Sequence, residues 1–327
     1  MRKPDRKVAE MKSDQVVAIA CADLHLSHTP PIARAGEKSW YEAMMRPLAE
    51  LRKLAVDLQV PILCAGDVFD KWNAPAELIN FALDCLPEMY AIPGQHDLPL
   101  HNYRDIHKSA YWTLVKMGRV RNLVPGEKAL IQNGLHVTGF PWGFAVKPSE
   151  PKNKLNICLH HGYRWIKGAG YEGADAASQM RFEEYKGYDV VIIGDNHKSW
   201  EARGLVPSSS YGPFSCIWNA GSLMCRNSDQ IDHRPRVGMI RADSYVESRY
   251  LDCSKDIISK TTELFKLNQK RFGDDQGIGG REFDSLLEEL RERREGVLDY
   301  AEALRQAMGS LSPEAGKLLL EALDCDD

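Results

Sequence analysis

Five short segments of this chain each stop an apolar run abruptly on carboxylates, imidazoles or an amide. They are Asp23-Leu-His25, Gly66-Asp67-Val-Phe-Asp70, Gly94-Gln95-His96-Asp97, His160-His161 and Gly194-Asp195-Asn-His197. Each alone is ordinary: Gly-Asp after a strand is among the commonest turns, and an isolated His-His pair usually serves structure. Five together point to shared chemistry. Hard oxygen ligands mixed with imidazole suit manganese, iron or zinc better than calcium. Two such ions about 3.5–4 Å apart need a ligand that reaches both, and a carboxylate can bridge them. Such a pair acidifies a bound water and clamps the oxygens of an in-line phosphoryl displacement. The residues therefore predict a two-metal site for phosphoester hydrolysis.

Scattered residues can meet only if the fold carries them to one place. Val16–Ala22 reads as a buried strand that delivers Asp23 and His25. Residues 37–59 hold Trp40, Met44, Leu48 and Leu51 at helical spacing. Val60–Ala65 reads as a second strand leading to Asp67, Pro75–Leu86 as a helix with proline in its first turn, and Met89–Ile92 as a third strand leading to Gln95. This alternation implies a mainly parallel sheet, and such sheets hold ligands beyond their carboxyl strand ends. Leu130–Phe140 reads as a hairpin turning at Asn133-Gly134. Leu155–Leu159 and Asp189–Ile193 read as strands running into the last two segments, and strand-like runs near 216–220, 237–241 and 245–250 follow. The predicted fold class is α/β, a four-layer α/β/β/α sandwich of two mixed sheets over residues 15–252. A flexible stretch, 1–14, precedes it. A helical region, 253–327, follows, with Leu286, Leu287, Leu290 and Val297 on one stripe.

The net charge of −4 argues against a protein that coats nucleic acid non-specifically, so contact with DNA would come from local basic patches and the ions. The eight cysteines form no Cys-x-x-Cys pair, which argues against structural zinc and for a reducing, cytoplasmic setting. No apolar stretch reaches the roughly eighteen residues of a membrane helix, and Met1–Asp14 lacks the apolar core of a secretory signal.

The order of the five segments resembles that of the calcineurin-like metallophosphoesterases, whose pattern runs D-x-H, G-D-x-x-D, G-N-H-D/E, a later H, then G-H-x-H. The resemblance spans Val16–Leu251. Within that superfamily the chain is most similar to the nuclease subunit of SbcCD-type DNA repair complexes, in its phage-borne branch. Ile92-Pro-Gly-Gln-His-Asp-Leu-Pro99, Gly194-Asp-Asn-His-Lys198 and Ala220-Gly-Ser-Leu-Met-Cys-Arg226 carry that similarity. It implies that Asp23, His25 and His197 hold one metal, that Asp67 bridges, and that Gln95, His160 and Asp195 hold the other. His160 is preferred to His161 because it directly follows the apolar run. His96 would donate a proton to the leaving oxygen, Asp97 would orient His96, and Asp70 and His161 would support the ligands from behind.

Two departures stand out: Gln95 replaces the usual Asn, and Asp195 replaces a His. The added hard oxygen favours manganese or magnesium over zinc, so the expected cofactors are two divalent ions, manganese first, with magnesium, iron and zinc as alternatives. The implied activity is DNA exo- or endonucleolytic hydrolysis in repair or recombination, by a metal-bridging hydroxide. Gly162–Tyr171 mixes aromatics, cations and glycines and could stack bases. Arg164, Lys198 and Arg226 are candidate phosphate contacts. The resemblance further implies DNA as a partner, a coiled-coil ATPase docked on the C-terminal helices, and the host cytoplasm if the chain is phage-encoded. It also leaves room for a homodimer. Two alternatives remain: a metallophosphoesterase of small substrates, and a non-catalytic, metal-holding DNA-binding scaffold.

Overall fold

The computed structural model describes residues 12–150, 155–171, 173–209, 212–226 and 233–258. The expected C-terminal helices and most of the N-terminal stretch lie outside the described residues.

Two six-stranded sheets form the body. The first contains β1 (Val16–Cys21), β2 (Ile62–Cys64), β3 (Met89–Ala91), β4 (Val120–Asn122), β11 (Arg236–Arg241) and β12 (Val246–Tyr250) in the order β12-β11-β1-β2-β3-β4. The second contains β5 (Lys128–Leu130), β6 (His136–Phe140), β7 (Asn156–His161), β8 (Val190–Gly194), β9 (Trp200–Ser209) and β10 (Gly212–Asn219) in the order β5-β6-β7-β8-β10-β9. Both are mixed. Their central strands run parallel, while β11, β12, β5 and β9 pair antiparallel.

The hydrophobic pattern explains the stacking. Strands buried on both faces read as continuous apolar runs, and β1, β7 and β8 do. Val17, Ala20, Leu63 and Ile92 of the first sheet pack against Val137, Ile157, Leu159 and Ile192 of the second. The outer face of the first sheet, with Ile19, Ile62 and Cys64, is covered by α1 (Trp40–Leu58), α2 (Ala76–Cys85) and α3 (Ala110–Lys116). Ser39 caps α1 by accepting from the Glu42 amide at 3.3 Å, and Ser109 caps α3 from Trp112 at 3.2 Å. The outer face of the second sheet, with Cys158, Val191 and Ile217, is covered by Tyr185, Tyr188 and Phe182. Among the described residues this layer is made of 3-10 turns such as Phe182–Tyr185 rather than α-helices.

The hairpin at Asn133-Gly134 forms as expected, joining β5 to β6 with Leu130 opposite His136. The structure adds α3, β4 and β9 to the expected elements; α3 is too short for helical periodicity to register, and β4, Val120-Arg121-Asn122, has no apolar run. β7 also runs further than expected, so His160 and His161 lie inside the strand rather than beyond it. No helix among the described residues is long and apolar enough to cross a membrane.

Candidate metal centre

β1, β2 and β3 lie side by side and end level, with Cys21 opposite Cys64 and Cys64 opposite Ala91. Their carboxyl ends therefore present Asp23, Asp67 and Gln95 together. The pairing continues into the turns through Asp23 N–H to Gly66 O at 3.0 Å and His25 N–H to Asp67 O at 2.9 Å. From the facing sheet, β7 and β8 end with His161 opposite Gly194, which brings His161, Asp195 and His197 to the same seam.

The turns are sharp. Asp23, His25, Asp67 and Asp195 have φ of +53°, +45°, +51° and +89°. Left-handed backbone at non-glycine residues costs of order 1–3 kcal/mol each and clusters at functional sites. Gly94 is required by space: a Cβ there would stand 2.1 Å from Asp67 Oδ1 and 2.6 Å from His161 Cε1.

The side chains converge. His25 Nε2 and His197 Nε2 face each other at 3.0 Å. Asp67 Oδ1 accepts the His96 amide at 2.9 Å. Its other oxygen, Oδ2, is buried and makes no well-aligned hydrogen bond, lying 3.3 Å from His161 Nε2 and 3.7 Å from His25 Nε2. His161 Nε2 also lies 2.6 Å from Gln95 Oε1, while Gln95 Nε2 donates to Asp195 Oδ1 at 2.7 Å. The Asp23 carboxylate accepts the Asp195 amide at 3.0 and 3.1 Å. Three overlapping groups, Asp23/His25/His197, His25/Asp67/His96 and Asp23/Asp67/His161, each bring ligand atoms within 4.8 Å of one another.

Electrostatics give the same picture. Burial pushes the Asp23 carboxyl well above the usual range, opposed by His161 and reinforced by the Asp67 charge. Burial acts the same way on Asp67, but His161 and His25 outweigh it and hold Asp67 well below that range. Burial opposes a charge on His161, yet Asp67, Asp23 and Asp195 raise it to about 10. Burial beside His25 lowers His197 to about 3. Buried carboxylates facing one another, with a carboxylate oxygen between imidazoles of both sheets and two opposed imidazole nitrogens, are a donor set that divalent cations fit.

The structure brings together Asp23, His25, Asp67, Gln95, His96, His161, Asp195 and His197. It does not bring His160. Successive residues of a strand point to opposite faces, and His161 takes the face that looks at the first sheet. His160 looks outward, its Nδ1 2.9 Å from the Tyr185 hydroxyl. Burial, with Arg164 and His161 nearby, lowers it to about 3. The expectation that His160 is the ligand and His161 its support is therefore reversed in geometry.

Asp97 does not orient His96 either. Its carboxylate accepts the amides of Val68, Phe69 and Gly94 at 3.0, 2.9 and 3.1 Å, bracing the two turns. The His96 ring instead directs Nδ1 to the Asp70 carbonyl at 2.8 Å. Of the candidate phosphate contacts, Arg164 pairs with Glu184 at 3.1 Å and Arg226 with Asp70 at 2.6 Å. Lys198 is exposed, bonded through Nζ to Gly170 O at 3.3 Å. Sequence reasoning missed Asn196, whose amide strands the loop carrying Tyr163 onto the site by donating to Arg164 O and Ala169 O at 2.9 and 3.0 Å. A cleft of about 470 Å³ lined by Arg52, Val56, Arg119 and Arg121 lies at the opposite ends of the strands, away from these groups.

Among curated proteins, none matches the chain at a significant level. Solved structures with a similar course include a 5'-nucleotidase from Candida albicans, at 10% identity and a TM-score of 0.42, over 80% of this chain and 59% of that one. Another is a 5'-nucleotidase precursor from Thermus thermophilus, at 12% identity and 0.40, over 79% and 59%. A third is the calcineurin-like phosphoesterase YfkN from Bacillus subtilis, at 13% identity and 0.36, over 77% and 95%. A family model described as calcineurin-like phosphoesterase matches residues 17–199, from the first strand to just beyond His197. That match spans more than half of the chain and includes all five candidate segments, and the chain belongs to the calcineurin-like phosphoesterase family.

Proposed function

We propose that the chain hydrolyses phosphodiester bonds of DNA at a dinuclear centre. Asp23, His25 and His197 would hold one divalent ion, Gln95, His161 and Asp195 the other, and Asp67 both. The observation that carries the hydrolytic reading is Asp67 Oδ2, a buried carboxylate oxygen with imidazoles of both sheets within 3.7 Å. When bound, the ions would supply an acidified water and neutralise charge on the reacting phosphate. His96 serves the leaving group. A carbonyl only accepts, so its contact with Asp70 O places a proton on Nδ1, and Nε2 is the atom that hands over a proton when the ring is charged.

Aromatic side chains beside the site favour the polynucleotide reading. Tyr163 and Tyr171 pair at 5.1 Å between ring centroids, and Tyr171 is 55% exposed. Such rings can stack bases whatever the sequence, and Lys198 stands beside them through Gly170. The engagement of Arg164 and Arg226 within the protein favours a second reading, a phosphoesterase of small substrates that needs no long basic track. End-labelled single- and double-stranded DNA, tested with manganese, magnesium and chelator, separates the two. Metal-dependent cutting lost in His96→Ala supports the nuclease. Turnover of a small phosphate ester with both DNAs left intact would move the assignment to the second reading.

A further inference from the structure

The segment after β10 is laced into the metal centre at successive points. Ser222 N–H reaches the His197 carbonyl at 3.4 Å, and Leu223 N–H reaches the Asp23 carbonyl at 3.1 Å. Two residues on, the Cys225 carbonyl accepts from Arg34 Nη1 at 3.0 Å. Arg34 is fully buried and is itself held by Glu37 at 2.6 Å and Asp256 at 3.0 Å. The backbone is thus pinned on the approach to Arg226. From there the Arg226 side chain, 13% exposed, turns toward the site and donates through Nη1 to Asp70 Oδ1 at 2.6 Å.

Asp70 has two further neighbours. Its Oδ1 stands 3.4 Å from His25 Nδ1, and its carbonyl holds His96 Nδ1 at 2.8 Å. At 3.4 Å the first contact is too long for a strong hydrogen bond, yet close enough for the carboxylate to favour a proton on Nδ1. That leaves the lone pair of His25 on Nε2, the atom that faces His197 and Asp67. Carboxylates behind ligating histidines fix tautomer and ring orientation in this way. A carboxylate on a turn must itself be held, and Arg226 is the cation that holds it.

We propose that Arg226 is a positioning residue: its guanidinium fixes Asp70, and through Asp70 both His25 and His96, rather than contacting a substrate phosphate. This rests on the reading of Asp23, His25 and His197 as a metal site. Groups behind a ligand change metal affinity by about 10–100-fold, so Arg226→Ala weakens manganese binding by that order. Asp70→Asn does the same, and the double variant is no worse than either single one, because both remove one link.

The test is calorimetric titration of manganese into the full-length wild type, Arg226→Ala, Asp70→Asn and the double variant, with thermal melts of the metal-free proteins alongside. Weakened binding without additivity supports the proposal. Unchanged manganese affinity in Arg226→Ala, with a raised KM for DNA and unaltered kcat, overturns it and makes Arg226 a substrate contact. Full additivity of the two losses overturns it as well. If Arg226→Ala does not fold, Arg226→Lys decides the same question: its shorter reach weakens manganese binding to an intermediate degree if the proposal holds, and leaves it unchanged if it does not. A wild type that binds no manganese removes the metal reading and this proposal with it, an outcome distinct from a wild type that binds and a variant that binds equally.

Discussion

His161 and Asp67 belong to different sheets and meet with Nε2 3.3 Å from Oδ2. The other nitrogen of the same ring, Nδ1, lies 2.6 Å from the carbonyl of Ala65, on the chain leaving β2. One imidazole from the second sheet is therefore fixed to the backbone of the first and aimed at its central carboxylate. The candidate centre is the seam between the sheets, and its ligands are set by how the sheets stack.

His161→Ala is expected to reduce the bound manganese from two ions to one and to lower hydrolysis by more than about 100-fold, beyond what groups behind the ligands contribute. His160→Ala should leave the ion count intact and instead cost about 1–3 kcal/mol, because the buried Tyr185 hydroxyl loses its hydrogen bond to the ring. Metal analysis and thermal melts of both variants check this, and the reverse pattern would restore His160 as the ligand.

Removing metal should destabilise the protein. Asp23 and Asp67 are buried carboxylates; burial pushes the Asp23 carboxyl up, and the nearby Asp67 charge adds to it. Manganese at a hundredfold excess over its dissociation constant adds about 2.7 kcal/mol. Scanning calorimetry with manganese and with chelator should therefore give a clearly lower melting temperature in chelator. Coincident transitions would argue that no ion binds the folded state.

Glu37 predicts a pH dependence away from the centre. Burial pushes its carboxyl up, but the Ile257 amide, Arg34 and Arg46 outweigh this and hold it below its ordinary value of 4.5. A carboxyl lowered in the folded state adds stability above its unfolded value, and that stability is lost as pH falls through the folded one. Glu37→Gln should cost about 1–3 kcal/mol near neutrality, and the gap to wild type should close in acid. Denaturant melts from about pH 7 downward measure it; a gap that stays constant with pH would show that the charge is not responsible.

The aromatic rim predicts a split between substrates. Tyr171→Ala should raise KM for single-stranded DNA by about 5–150-fold, the equivalent of 1–3 kcal/mol of stacking per base, and leave turnover of a small aryl diester unchanged. Equal effects on both substrates would mean that Tyr171 supports the loop and stacks no base.

Much of this was legible along the chain because it is local. Buried strands announce themselves as apolar runs, and β1, β2, β3 and β8 end within a residue or two of where those runs stop. A ligand just past a strand needs only that strand's end to be recognised, so Asp23, His25, Asp67, Gln95, Asp195 and His197 stood out. β4 did not, since Val120-Arg121-Asn122 buries one apolar side chain and forms no apolar run.

His160 and His161 mark where that reading stops. Ile157, Cys158 and Leu159 are all apolar because β7 is buried on both faces, so period-two alternation, which would tell inner from outer positions, is absent. Only the packing of one sheet on the other decides that the odd-numbered side chains of β7 face the first sheet, which brings His161 to Asp67. The same holds for Arg164 and Arg226. Sequence identifies them as cations near ligand segments, but the tertiary structure supplies Glu184 and Asp70 as their partners. The residue types and strand ends of the centre were determined by the sequence itself. Which face each side chain takes, and which charge each cation meets, depended on contacts between segments separated along the chain, from Arg164 with Glu184 to Arg226 with Asp70, which a local pattern does not record.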